Sequence, residues 1–245
     1  MIHSDILGFV FTAAGYVVGS VVFCLFSKTR GFDGRQSGWL LVSALFGGIA
    51  GAKLTRLVFA VTSGASPESI LAHPDGRTII GGILFGWVAV EAAKNRLKLK
   101  RSTGDAFALA LSSGEAIGRI GCFFNGCCYG AISSVPWAVY QAGAWRHPSQ
   151  LYSAGVALAI FLILYFLRGR VTFEGDLFRI YLLSYGLSRF GLEFFRQRSE
   201  IHFGLSMAQW VSLEIALAML IALAWQHYSQ HKLNGAVAVD GREIL

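Results

Sequence analysis

Charge is what this sequence has least of. Asp, Glu, Lys and Arg make up 14% of its 245 residues, whereas 54% are hydrophobic. With a mean hydropathy of +0.54, that balance excludes an ordinary soluble domain. Acidic residues are scarcer still, 14 against 21 basic ones. The net charge of +7 does not point to nucleic acid, because Lys and Arg sit mostly in short connections between apolar runs, where their sidedness sets membrane topology. Cysteine is also sparse. Cys24 lies in the first apolar run and the other three cluster between residues 122 and 128, which excludes the disulfide framework of a small secreted domain. There is no internal repeat and no low-complexity segment. The first apolar run, Ile6 to Phe26, lacks the basic start and small-residue cleavage site of a signal peptide, so it is expected to be retained as a span.

What is present is a series of apolar runs long enough to cross a hydrocarbon core of ~30 Å. Seven spans are expected: 6–26, 39–61, 78–93, 105–121, 148–167, 176–195 and 207–225. The fold class is therefore an all-α integral membrane protein of seven transmembrane helices. Connection 27–38 carries Lys28, Arg30 and Arg35, and connection 94–104 carries Lys94, Arg96, Lys98, Lys100 and Arg101. Residues 1–5 carry no Lys or Arg and 62–77 only Arg77. This asymmetry places the N-terminus outside and the C-terminus in the cytoplasm. One membrane domain is expected over 1–225, followed by a polar cytoplasmic tail over 226–245.

Charges inside spans are expensive and mark function. On this topology Lys53 and Arg56 fall in the outer half of the second span. A rise of ~1.5 Å per residue puts Arg119 about 21 Å along the fourth, with Glu115 one turn earlier on the same face. In the sixth span Tyr185, Arg189, Glu193 and Arg196 follow spacings of four, four and three along one stripe. Leu183, Leu187, Phe190 and Phe194 form an opposite stripe suited to lipid. The basic groups outnumber the carboxylates near them. A positive, half-buried site in the outer leaflet suits an anionic lipid headgroup, which a guanidinium holds through two oxygens at once. Gly47, Gly48 and Gly51 on the second span, and Gly81 and Gly82 on the third, permit either close helix approach or room for an acyl chain.

Three readings compete for Cys122, Cys127 and Cys128: small apolar packing groups, a disulfide pairing Cys122 with Cys127 or Cys128, and a reactive thiol made acidic by Arg119. A metal site completed by His147 lacks a cysteine pair two residues apart, so no metal is expected. His147 reads either as a general base or as a structural group at the start of the helix opened by Pro148, with the balance toward structure. Tyr152 and Gln150, one turn in, either line the cavity or pack.

Three passages together carry a family resemblance. "GRIGCFFNGCCYG" (118–130), "RHPSQLY" (146–152) and "YGLSRFGLEFFR" (185–196) resemble, in order and spacing, segments of the prolipoprotein diacylglyceryl transferases of bacterial membranes. "GGIAGAKL" (47–54) and "IIGGILFG" (79–86) are weaker echoes. The resemblance implies transfer of a diacylglyceryl group from phosphatidylglycerol to a lipobox cysteine thiol, with release of glycerol phosphate. It further implies that Arg119 and Arg189 hold the phosphate, that Asn125 orients the headgroup and that Glu193 fixes Arg189. The chain departs from the family pattern where Cys122 and Cys127 replace an asparagine and a glutamate of the signature. It departs again at Ile80, where many members carry histidine, and at Ser153, where an acidic residue is usual. Tyr16 is only a loose counterpart of the family's first-span motif.

The expectation is thus a bacterial inner-membrane transferase acting on phosphatidylglycerol or another anionic phospholipid and on a prolipoprotein or other thiol acceptor. No metal, organic cofactor or nucleic acid is called for. The rivals are the same fold with a different acceptor, and a lipid-binding or transport protein without chemistry. Transport is disfavoured because the polar groups stay in the outer half rather than at the midplane.

Overall fold

A computed structural model of the chain describes residues 2–63, 78–171, 173–197 and 201–240. Seven α-helices are found among them: α1 (Ile2–Thr29), α2 (Gly34–Ser63), α3 (Thr78–Arg96), α4 (Gly104–Phe124), α5 (Ser149–Leu167), α6 (Asp176–Leu192) and α7 (Met207–Asp240). A 3-10 turn, Glu193–Phe195, prolongs α6. Five of the seven, α1, α2, α4, α5 and α7, contain stretches long and apolar enough to cross a membrane; α3 and α6 do not reach that measure. Exposed side chains such as Phe9 (73%) and Phe46 (75%) give these helices the outward apolar surface that lipid covers.

The chain divides into two compact units, Phe23–Arg101 and the remainder. In the first, α2 packs along α3. A Cβ on Gly51 would lie 2.6 Å from the Gly81 carbonyl oxygen, and one on Gly82 would lie 3.2 Å from that of Gly48. These glycines let the two backbones approach closely.

In the second unit α4 packs against α5 and α6, and α6 against α7. The core is rich in small residues, among them Ala106, Ala108, Ala110, Ala154 and Ala157, with Leu109, Leu164 and Leu177 filling the gaps. Close approach recurs between α1 and α4, where a Cβ on Gly15 would sit 2.8 Å from the Gly114 carbonyl oxygen. Serines buried in α4 return their hydroxyls to the preceding turn, Ser112 to the Ala108 carbonyl at 2.8 Å and Ser113 to that of Ala110 at 3.1 Å. Asp105, 3% exposed, accepts from the backbone N–H groups of Gly175 (3.2 Å) and Phe178 (3.4 Å). A carboxylate of α4 thereby satisfies the free amides at the start of α6.

Two features differ from expectation. Short hairpins interrupt the helices: β1 (Val139–Gln141) pairs with β2 (Ala144–Arg146), and β3 (Ile201–His202) with β4 (Leu205–Ser206). Each turns on two residues at positive φ, Ala142 (48°) with Gly143 (78°) and Phe203 (51°) with Gly204 (80°), the backbone a two-residue hairpin requires. Strands this short carry no readable alternation. The second difference is at the C-terminus, where α7 continues without a break at residue 226 through Asp240. The connection carrying Arg77 lies outside the described residues.

Candidate functional site

The site is built on α4, α5 and α6. Glu115 and Arg119 of α4, Ser153 of α5, and Tyr185, Ser188 and Arg189 of α6 line a cavity together with aliphatic side chains of α5 and Leu192 of α6. Arg119 donates from Nε (3.1 Å) and Nη2 (2.8 Å) to Glu115 Oε1, the pair that their spacing predicts. Arg189 Nη1 lies 3.0 Å from Glu193 Oε2, and Arg196 Nε 3.6 Å from the same oxygen. Glu193 is 6% exposed and also accepts a hydrogen bond from the Ser206 hydroxyl at 3.2 Å. Two guanidiniums and one carboxylate thus line the cavity itself, with Glu193 and Arg196 set behind Arg189, a half-buried setting where an anion gains most.

The stripe read from the sixth span holds from Tyr185 through Glu193. At Arg196 the backbone turns extended and bridges to Gly130, so this guanidinium comes from beyond the helix end. On the opposite stripe Leu187 (58%) and Phe194 (51%) are exposed, while Leu183 and Phe190 are half-buried.

Other expected residues lie elsewhere. Lys53, Gly81 and Gly82 belong to the first unit, with Lys53 exposed, and the Arg56 side chain lies outside the described residues. The side chain of Ile80 does as well. Asn125 is the exposed C-cap of α4, packed where Gly8 of α1 has no side chain; it does not line the cavity. The His147 carbonyl accepts from the N–H of Ser149, the first residue of α5, at 2.8 Å, while its ring turns elsewhere. Its Nδ1 is instead 3.2 Å from Tyr152 Oη, which accepts from Trp137 Nε1 at 2.6 Å, and its ring packs edge-on against Phe195.

Gln150, 1% exposed, is not at the cavity either. Its Nε2 donates to the Cys127 carbonyl (2.8 Å) and to Gln141 Oε1 (3.0 Å), tying down the cysteine loop. Gln141 Nε2 donates to the Phe123 carbonyl at 3.1 Å, and the Ser149 hydroxyl to that of Cys128 at 3.0 Å. Within the loop Gly126 and Cys128 adopt positive φ, 64° and 58°. Cys122 is half-buried, whereas Cys127 and Cys128 are exposed. Hydrogen bonds from the Cys122 and Cys127 thiols, with Arg196 beside it, hold the Cys128 thiol well below its ordinary range. Cys127, donating to those neighbours, is pushed up.

Arg146, at the head of the segment 146–152, clamps the loops. It is 7% exposed, donates to the Gln141 (3.0 Å) and Gly130 (3.2 Å) carbonyls and to Gln197 Oε1 (2.7 Å), and stacks 4.6 Å above the Tyr129 ring.

Fold and site define a multi-pass helical membrane protein with a cationic cavity between its helices. The family model for prolipoprotein diacylglyceryl transferase matches residues 8–225, and the chain belongs to that family. It is 31% identical to the phosphatidylglycerol–prolipoprotein diacylglyceryl transferase of Cupriavidus necator over 242 residues, covering 88% of this chain and 87% of that protein. The enzyme of the same name from Cupriavidus metallidurans is 30% identical over 250 residues, covering 91% and 90%. That of Aliarcobacter butzleri is 36% identical over 146 residues, 58% of this chain; there the chain spans about half the length of the relative it matches, 53%.

Proposed function

We propose that this protein transfers the diacylglyceryl group of phosphatidylglycerol to the thiol of a prolipoprotein cysteine, at the outer leaflet of the bacterial inner membrane, across which it passes seven times. The observation that carries the proposal is a cavity lined by both Arg119 and Arg189, with Glu115 the one carboxylate among its lining residues. A phosphodiester headgroup supplies the missing anion. The acceptor sulfur attacks the glyceryl carbon bearing the phosphate ester. The carbon–oxygen bond breaks with its electron pair moving to oxygen, and glycerol phosphate leaves. The thiol proton passes to water or to the departing phosphate. Arg119 and Arg189 stabilise the charge that grows on the leaving group, the role in which preorganised cations contribute most. Glu193 orients Arg189 and Arg196. Tyr185, which lines the same cavity, completes the proposed lipid contacts.

A different acceptor on the same donor site is the second reading. It is favoured by Cys127 and Ser153 standing where the family resemblance implies acidic groups. Mass spectrometry after incubating the purified protein with labelled phosphatidylglycerol and a lipobox peptide tests both. A peptide heavier by one diacylglyceryl group supports the first reading. Release of glycerol phosphate without peptide modification supports the second, and neither product rules out both.

A further inference from the structure

The three sulfurs of Cys122, Cys127 and Cys128 all lie within 4.8 Å of one another. Three thiolates around one ion at metal–sulfur distances of ~2.3 Å stand about 4 Å apart, so the cluster needs to contract only slightly to hold one. We propose that Cys122, Cys127 and Cys128 form a three-thiolate site for a soft d10 cation, Cu(I) or Zn(II), at the outer end of α4.

The loop is built to present these sulfurs. Cys122 sits on the last turn of α4, and the N–H of Cys127 returns to the Cys122 carbonyl at 3.2 Å. The left-handed backbone at Gly126 and at Cys128 folds the chain back on itself, a conformation that a residue other than glycine adopts at a cost. Backbone oxygens that would compete for the loop are already occupied: those of Phe123, Cys127 and Cys128 accept from Gln141, Gln150 and Ser149. Such outer partners fix the position of ligands before the metal arrives. The partial exposure of the cluster leaves an entry path.

Thiolate softness selects Cu(I) and Zn(II) over hard cations. Cu(I) is satisfied by three sulfurs in a plane, whereas Zn(II) keeps a water in a fourth position. Either ion displaces the thiol protons to solvent as the metal–sulfur bonds form. His147 is not a ligand, since its ring is engaged by Tyr152 and Phe195. A disulfide would use two of the sulfurs and strand the third. A direct Cys127–Cys128 bridge is further disfavoured because adjacent Cα atoms, ~3.8 Å apart, are closer than ordinary disulfides allow.

The test uses the full chain in detergent, reduced and desalted under anaerobic conditions. It is titrated separately with Zn(II) against a chromophoric chelator and with Cu(I) against bicinchoninate. About one equivalent of one of the two ions is expected, with X-ray absorption showing three sulfur neighbours at ~2.3 Å. Cys24→Ser, which changes the cysteine outside the cluster, should bind as the parent does. The combined Cys122→Ser, Cys127→Ser, Cys128→Ser variant should bind none. The three single variants, which perturb the loop less, should each weaken binding by at least about tenfold. Failure of the reduced parent to take up either ion overturns the site and leaves a thiol–disulfide cluster. Undiminished binding in the single variants overturns it equally.

Discussion

Arg119 reaches back one turn and places both Nε and Nη2 on a single oxygen of Glu115, at 3.1 and 2.8 Å. Its Nη1 makes no hydrogen bond among the described residues, so one edge of the guanidinium is committed to holding the side chain and the other is open. Arg189 faces the same cavity, oriented from one turn beyond by Glu193. Each arginine is thus held by a carboxylate on its own helix or helix end, and each keeps donors for a ligand.

Removing either guanidinium should therefore cost more than binding. Arg119→Gln and Arg189→Gln are expected to lower turnover of labelled phosphatidylglycerol by about 100-fold or more, the scale for losing one donor to a developing oxyanion. Arg189→Lys should recover little, because an ammonium cannot reproduce the planar fork. Turnover near the parent rate in both Gln variants would show that the phosphate lies elsewhere.

His147 is expected to matter little to the chemistry. Its Nδ1 is engaged with Tyr152, and Trp137 and Phe195 hold the assembly from two sides. His147→Gln should reduce turnover by less than about tenfold, short of the ~100-fold or more that a general base supplies. Loss of two orders of magnitude, together with loss of the acid limb of the pH–rate profile, would identify His147 as the base.

The pairings within one helix were legible because a spacing of four fixes them: Glu115 with Arg119, and Arg189 with Glu193. So was the apolar character of the helices. The grip on the loops was not, because Arg146 reaches Gln197 and Gln150 reaches Cys127 across stretches of chain that no local pattern relates. Gln150 and Asn125 carry the chemistry of ligand-binding residues, yet tertiary placement assigns one to a loop and the other to the surface. Arg196, expected on the stripe of the sixth span, is instead delivered by the extended backbone after the 3-10 turn, where helical periodicity no longer applies.

The glycines of α1 and α4 make a stability prediction. A Cβ on Gly15 would lie 2.8 Å from the Gly114 oxygen and 3.0 Å from the Gly118 nitrogen, both backbone atoms that cannot swing aside. Gly15→Ala should destabilise the protein by about 1–3 kcal/mol, the usual cost of overpacking. Gly155→Ala is the control, since a Cβ there meets nothing within 4 Å and relieves helix entropy. Thermal unfolding in detergent should separate the two, with a lowered midpoint for the first and an unchanged or raised one for the second. Equal midpoints would mean that α1 does not pack on α4 in this way.

The proposed outward N-terminus rests on the sidedness of basic residues in the connections. A cysteine added ahead of residue 1, in a chain whose native cysteines are serine, should react with a membrane-impermeant maleimide in intact spheroplasts. Labelling seen only after the membrane is opened would invert the topology and move the cationic cavity to the cytoplasmic leaflet.

The last prediction concerns the Cys128 thiol, which the thiols of Cys122 and Cys127 and the Arg196 guanidinium hold below its ordinary range. A depressed pKa means the thiolate persists as pH falls and is lost only below the folded value. In reduced protein kept free of metal by a chelator, alkylation of Cys128 should therefore be almost flat between pH 6 and 8. An ordinary thiol of pKa ~8.5 gains about tenfold per pH unit over the same range. Cys127, pushed the opposite way, should stay unlabelled throughout. The shape of the profile is the readout rather than the rate, because a thiolate of low pKa is also a weaker nucleophile. Arg196→Gln removes the cation and Cys127→Ser weakens a donor, so each should steepen the profile toward that of an ordinary thiol. Peptide-level mass spectrometry resolves the two sites. A tenfold rise per unit at Cys128 in the parent would mean that the cluster carries no thiolate at neutral pH, and that Arg196 serves Glu193 alone.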